Sequence, residues 1–154
     1  MTLAISAQPF AALDAAAAYD VWRLRQQVFV VEQGDPYDDL DGRDTEPGTV
    51  HVVVRDDADE VVGVARVLDE GGEWRIGRVA LAPRARGRGL SGPLMTACLE
   101  VCEGRPVVLA AQTPLADWYA TFGFEEWRGD AEDSGRWRRI GHFGDRVFAD
   151  RAEA

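Results

Sequence analysis

Between Trp74 and Gly92 the sequence passes through three features in direct succession: a strand whose side-chain phase slips, a loop of alternating arginine and glycine, and the start of a helix. In the first half of the strand the bulky apolar residues are Trp74 and Ile76. In the second half they are Val79 and Leu81, so the phase slips by one at Gly77-Arg78. Side chains alternate strictly along a strand, and a slip marks either a β-bulge or burial on both faces. Glycine at the slip favours a bulge, within a strand expected over Trp74–Ala82. The loop Arg84-Ala85-Arg86-Gly87-Arg88-Gly89 follows. Leu90, Leu94, Cys98 and Val101 then mark an amphipathic helix that tolerates Pro93 in its first turn.

A strand, a Gly/Arg loop and a helix in this order build an anion site. The first N–H groups of a helix have no intrahelical partner, and the helix dipole favours negative charge there. Gly87 and Gly89 let the backbone approach a phosphate without a Cβ in the way. Arginine side chains can add charge-assisted hydrogen bonds. The alternative is a tight turn whose arginines are solvated. The loop lacks the Gly-Lys-Ser/Thr ending of a P-loop, and its spacing is not that of a dinucleotide fingerprint.

The rest of the chain supplies a sheet around that strand. Residues 2–8 alternate as a strand, and Ala17, Val21, Leu24 and Val28 give a helical stripe within Leu13–Phe29. An acidic loop, Asp35–Asp44, comes next. Val50–Arg55 and Val61–Leu68 read as a hairpin joined by Asp56–Glu60. Pro106–Ala111 is a continuous apolar run of the buried-strand kind, and Leu115–Phe122 is a short helix stopped by Gly123. Phe124–Phe148 is expected to form a closing strand pair with a turn at Asp133-Ser134-Gly135. The predicted class is α/β (α+β), one domain over residues 1–154 with a central sheet.

Composition excludes some partners. The net charge is -10 and every one of the 17 basic residues is Arg. Such acidity argues against nucleic acid, whose phosphates need a basic surface. It leaves open plain solubility or attraction of a cationic substrate. No apolar stretch is long enough to cross a bilayer. The opening MTLAISAQPF reads as a strand rather than a signal peptide, so a cytoplasmic location is expected. Cys98 and Cys102 share one side of a helix, a spacing poor for a disulfide and insufficient for zinc, and are expected to be buried small hydrophobes.

The segment Val79-Ala80-Leu81-Ala82-Pro83-Arg84-Ala85-Arg86-Gly87-Arg88-Gly89 resembles the acetyl-CoA motif of the GNAT superfamily of N-acetyltransferases, Arg/Gln-x-x-Gly-x-Gly/Ala after a bulged strand. Tyr119-Ala120-Thr121-Phe122-Gly123-Phe124 is similar to that superfamily's Tyr-x-x-x-Gly-Phe element. Leu24–Gln33, with Pro36-Tyr37 and Asp39-x-Asp41, resembles its ElaA-like branch. Three motifs in order over residues 20 to 125 are more specific than any one of them.

The resemblance implies a central mixed, mostly antiparallel sheet flanked by helices on both faces, with acetyl-CoA as donor and a primary amine as acceptor. It implies that the backbone of Val79, Ala80 and Leu81 pairs with the acetyl and pantetheine amides. It also implies that Arg84, Arg86, Gly87, Arg88, Gly89, Leu90, Ser91 and Gly92 bind the pyrophosphate, with main-chain donors from Arg86 to Gly92. Tyr119 matches the tyrosine that protonates the departing thiolate; a packed core aromatic is the competing reading. Two departures stand out. Ser91 occupies a position where a third small Gly or Ala is common. Arg139 falls about where ElaA-like proteins carry a histidine, which weakens any substrate analogy with that branch.

Attack by an amine needs its neutral form, and for a group of pKa roughly 10.4 that costs about 4.6 kcal/mol at pH 7. The candidate bases are Glu32, the acidic-loop carboxylates and, less strongly, His51; a solvated charge for Glu32 and a structural role for the histidine are the alternatives. The acidic loop does not fit a calcium site. With Gly42 sixth, Tyr37 would be first and Gly48 twelfth, and neither is a ligand of the required kind. No metal is expected. The loop carboxylates are instead candidates for attracting a polyamine, amino-sugar or peptide amine, or form a solvated surface, and a homodimer is compatible with the sequence. A CoA-binding sensor without turnover, and phosphate capture from nucleotides, are the alternative functions.

Overall fold

The computed structural model describes residues 2–110, 116–126, 136–140 and 148–150. The chain forms two compact units, Met1–Leu68 with Arg78–Val101, and Asp69–Gly77 with Cys102–Ala154.

In the first unit, β1 (Ala4–Pro9), β2 (Val50–Arg55), β3 (Val61–Asp69) and the second half of β4 (Trp74–Leu81) are sheet neighbours in that order. β1 runs antiparallel to β2 with Ile5 opposite Val54, and β2 antiparallel to β3 with Val53 opposite Val64. Branched residues pack well on such a pleated surface. Val52, Val53, Val54, Val62, Val64 and Val67 are all buried, so β2 and β3 form the centre of this core. The hairpin turn is local chemistry: Asp56 Oδ1 accepts from the N–H groups of Ala58 and Glu60, and Asp59 adopts φ +63°.

Helix α1 covers Ala15–Arg25, two residues inside the expected start, because Asp14 caps it by accepting from the Ala17 N–H at 2.8 Å. It continues past the expected end as a π-helical stretch, Gln26–Glu32, where Gln33 N–H reaches back five residues to Val28 O. Ala17, Val21, Leu24 and Val28 are buried, as their spacing requires. Helix α2 (Ser91–Val101) packs on β1 and β2 and buries Leu94, Met95, Cys98 and Leu99.

In the second unit, Trp74–Ile76 of β4 pair in parallel with Val107–Leu109 of β5 (Val107–Ala110). α3 (Ala116–Ala120) and β6 (Glu125–Glu126) follow, then β7 (Arg136–Ile140) and β8 (Phe148–Asp150). β7 runs antiparallel to β5, β6 and β8. Among the described residues of the closing segment, β6 and β7 form the expected antiparallel pair, and β8 adds a strand that begins at Phe148; the turn expected at Asp133–Gly135 lies outside the described residues. Arg105 ties the unit's start to its middle. Its guanidinium lies 3.6 Å from the Trp74 ring centroid and donates to Asp69 and to Gly71 O. The class is α/β (α+β), with a mixed, mostly antiparallel sheet and flanking helices.

The phase slip in β4 has a backbone counterpart. Arg78, not Gly77, takes the left-handed conformation, with φ +53°, a geometry used by one class of β-bulge. Beyond it Ala80 is buried, whereas Val79 and Leu81 are half-buried. Leu81 lies close over Gly63: a Cβ there would meet Leu81 Cδ2 at 2.9 Å. No helix among the described residues is long and apolar enough to cross a membrane.

Candidate functional site

The loop after β4 builds a donor cradle in three steps. Ala82 N–H still pairs with Val62 O, and Pro83–Ala85 then form a 3-10 turn whose closing bond is Arg86 N–H to Pro83 O, 3.2 Å. Gly87 and Gly89 each take φ +75°, and a Cβ at either would meet nothing within 4 Å. Leu90 O accepts from Leu94 N–H, which starts α2. The N–H groups of Gly87, Arg88, Gly89 and Leu90 donate to no described group. Those of Ser91 and Gly92 lie in the first helical turn, where no intrahelical acceptor exists. The expected donor run from Arg86 to Gly92 thus loses its first member, because Arg86 N–H closes the turn.

The three loop arginines do not act as one cationic cluster. Arg84 donates to Asp56 and Glu60, each at 2.7 Å, on the hairpin turn. Arg86 forks onto Glu32 at 2.6 and 2.7 Å and donates through Nε to Leu81 O at 3.1 Å. Arg88 donates to Arg84 O and, among the described residues, has no carboxylate partner. Arg84 and Arg86 are thus offered to an anion only in competition with these carboxylates. In a chain this acidic, carboxylates compete for every guanidinium.

Glu32 and His51 are both engaged. Hydrogen bonding from Arg86 holds the Glu32 carboxyl below the usual carboxylate range, so Glu32 is a poor proton acceptor in this state. His51 is buried, its Nε2 donating to Asp44 O at 2.9 Å and its ring edge-on to Phe10. Burial lowers its pKa, which keeps the ring neutral at pH 7. Tyr119 lies in the second unit, buried, with edge-on contacts to Trp118 and Phe124. Cys98 is buried as expected, which pushes its thiol up to about 12, and Cys102 is buried as well.

An ionic network in the first unit went unread in the sequence. Arg25 donates to Asp39 Oδ2 at 3.1 Å and to Asp44 Oδ1 at 2.6 Å. Arg66 donates to Asp41 at 2.9 Å and to Asp44 at 3.1 Å. Arg78 reaches Asp39 O and Asp41 Oδ2. Three arginines thus alternate with three aspartates, and Arg25 and Arg66 are only 1% and 3% exposed. Burial alone would raise the Asp41 and Asp44 pKa values. Hydrogen bonds from Arg66 and Arg25 outweigh it and hold both below the usual range. Burial, and then its bond to Asp39, pushes the Tyr37 hydroxyl up to about 12. Three carboxylates of the acidic loop are therefore consumed internally, which corrects their assignment to attracting a cationic amine. A signal was present: Arg25 falls on the stripe Ala18, Val21, Val28, where an unpaired charge is not tolerated.

The acetyltransferase (GNAT) domain family matches residues 14–137. A UPF0039 protein of Mycobacterium tuberculosis is 42% identical over 116 residues, covering 73% of this chain and 74% of that protein. A solved acyl-CoA N-acyltransferase from Pseudomonas aeruginosa superposes with a TM-score of 0.82 at 33% identity, covering 89% of this chain and 99% of the other. The crystal structure of Escherichia coli ElaA gives 0.77 at 32%, covering 89% and 97%.

Proposed function

Since the chain belongs to the acetyltransferase (GNAT) family, in its ElaA-like branch, we propose that it transfers an acetyl group from acetyl-CoA to a primary amine by direct attack. Members of this family use an acyl-CoA as co-substrate; the acetyl donor and the amine acceptor are the finer reading. Residues 1–154 serve as one catalytic domain. The observation that carries the proposal is the cradle at Gly87–Leu90, with four adjacent free N–H groups under open space at the start of a helix. A diphosphate suits it, because convergent N–H groups can meet several anionic oxygens at once. Arg88, with no carboxylate partner among the described residues, adds a positive charge.

When bound, acetyl-CoA supplies an activated acyl carbon and a thiol leaving group of pKa about 8.5. The protein's part is to bind and orient. Main-chain groups from Gly87 to Gly92 hold the diphosphate, and those of Val79, Ala80 and Leu81 offer partners to the amide-bearing arm. The Tyr119 hydroxyl donates the proton that the departing sulfur needs. Glu32 and His51 are both committed, so the neutral amine is supplied by desolvation or through water rather than by either side chain.

The same commitment of both bases favours a second reading, an acyl-CoA-binding sensor without turnover. Calorimetric titration of CoA, followed by thiol release across a panel of amines, separates the two. The enzyme reading expects saturable binding and acceptor-dependent release. Binding without release leaves the sensor, and ATP binding as tightly as CoA indicates generic phosphate capture.

A further inference from the structure

Arg78 stands in a conformation that an arginine does not adopt without cause. Its φ of +53° is strained for an L-residue, because Cβ crowds the following carbonyl oxygen. Gly77 beside it would adopt a positive φ freely, yet does not. Such an outlier persists only where its surroundings over-determine it.

Those surroundings form a socket. Arg78 Nε lies 2.8 Å from Asp39 Oδ1, a close ionic contact off the hydrogen-bonding direction. Nη2 donates to Asp39 O at 3.1 Å and to Asp41 Oδ2 at 3.3 Å. The guanidinium also faces the Tyr37 ring, 5.3 Å from its centroid. The socket is itself anchored from behind. Arg25 binds Asp39 and Asp44, Arg66 binds Asp41 and Asp44, and His51 donates to Asp44 O. Arg25 and Arg66 are buried, and loss of one member of a buried pair is strongly destabilising, so the carboxylates that grip Arg78 are held firmly enough to hold the backbone there.

We propose that Arg78 is a positioning residue: gripped by Tyr37, Asp39 and Asp41, it locks the left-handed backbone at position 78. That lock sets the main-chain groups of Val79 and Leu81 for the amide-bearing arm of acyl-CoA. The proposal rests on the acyl-CoA reading above. It gives the acidic loop a task in the fold's chemistry: the loop braces β4 instead of facing an acceptor. Arg78 itself need not touch the ligand.

Glycine and alanine at this position separate backbone from side chain. Arg78→Gly discards the guanidinium but accepts a positive φ at no cost, whereas Arg78→Ala discards both. Calorimetry should find acetyl-CoA bound within about threefold of wild type by Arg78→Gly, and at least about tenfold more weakly by Arg78→Ala. ADP, as a probe of the diphosphate cradle alone, should bind all three proteins equally. Equal acetyl-CoA affinity for the glycine and alanine variants overturns the proposal, whether both match wild type or both lose binding. Should the alanine variant fail to fold, Asp41→Asn is the second probe. It keeps Arg78 but weakens its socket, and should weaken acetyl-CoA while sparing ADP; unchanged acetyl-CoA affinity there also overturns the role. Wild-type protein that binds no acetyl-CoA removes the acyl-CoA reading itself, an outcome distinct from wild-type binding that no Arg78 variant alters.

Discussion

Glu32 and Arg86, 54 residues apart in sequence, meet in a two-pronged ion pair with both contacts at 2.6–2.7 Å. The pair ties the end of the π-helical stretch to the loop after β4 and places a carboxylate where a diphosphate would compete for the same guanidinium. Both partners are exposed, so the pair is weak and exchangeable. Replacing Glu32 by Gln removes the competitor. CoA should then bind more tightly, by up to about fivefold, a small gain because an exposed pair is screened by solvent. Turnover at saturation should change little. A variant with unchanged affinity but a hundredfold lower kcat would restore Glu32 as the base.

Gly89 tests the cradle directly. At φ +75° an alanine is strained by about 1–2 kcal/mol, and its methyl would enter the open space above the donors. Gly89→Ala should weaken CoA at least about tenfold in calorimetry while lowering the melting temperature by only a few degrees. Full-strength CoA binding by a folded variant would place the diphosphate elsewhere.

For Tyr119 the expected split is between binding and turnover. The ring fills a buried aromatic cluster, and Tyr119→Phe keeps that packing while deleting the hydroxyl. CoA affinity should stay within twofold, and kcat should fall roughly a hundredfold, the lower end for a lost general acid. Unchanged kcat would make the tyrosine a packing residue only.

The pH dependence of stability should carry the mark of His51. Its folded pKa lies below the ordinary 6.5, because burial disfavours the charged ring. Below pH 6.5 the unfolded chain therefore binds a proton that the folded chain refuses, and stability falls as pH falls. The slope reaches at most about 1.4 kcal/mol per pH unit. Asp41 and Asp44, whose folded values lie below 3.8, keep their contribution above that pH and lose it only in more acid solution. Denaturant midpoints measured between pH 7 and 4.5 should decline for wild type and flatten for His51→Gln. Equal slopes in the two proteins would exclude His51 as the titrating group.

The strands at Val50–Arg55 and Val61–Leu68, the helical stripe Ala17–Val28, the turn glycines Gly87 and Gly89 and the start of α2 were all legible in the sequence. Each follows from side-chain period, capping or turn chemistry acting over a few residues. The π-helical continuation to Glu32 was not, because a Gln-Gln-Val-Phe-Val-Val-Glu run satisfies an α-helix equally well; the wider turn shows itself only in where Gln33 N–H bonds. The closing segment was read as a strand pair without strand bounds, since strands as short as Glu125–Glu126 have too few residues to display a period.

Which side chains exist near the loop was settled by the sequence; which of them are free was settled by tertiary structure. Arg84 meets Asp56 across 28 residues, Arg66 meets Asp41 across 25, and Arg86 meets Glu32 across 54. A chain with 17 arginines and 27 acids allows very many such pairings. Charge attraction has no sequence period to reveal the chosen ones, and burial decides which charges must be paired. The left-handed residue in β4 is Arg78 rather than the adjacent Gly77 for the same reason. Glycine permits that backbone, but a socket of distant carboxylates can compel it.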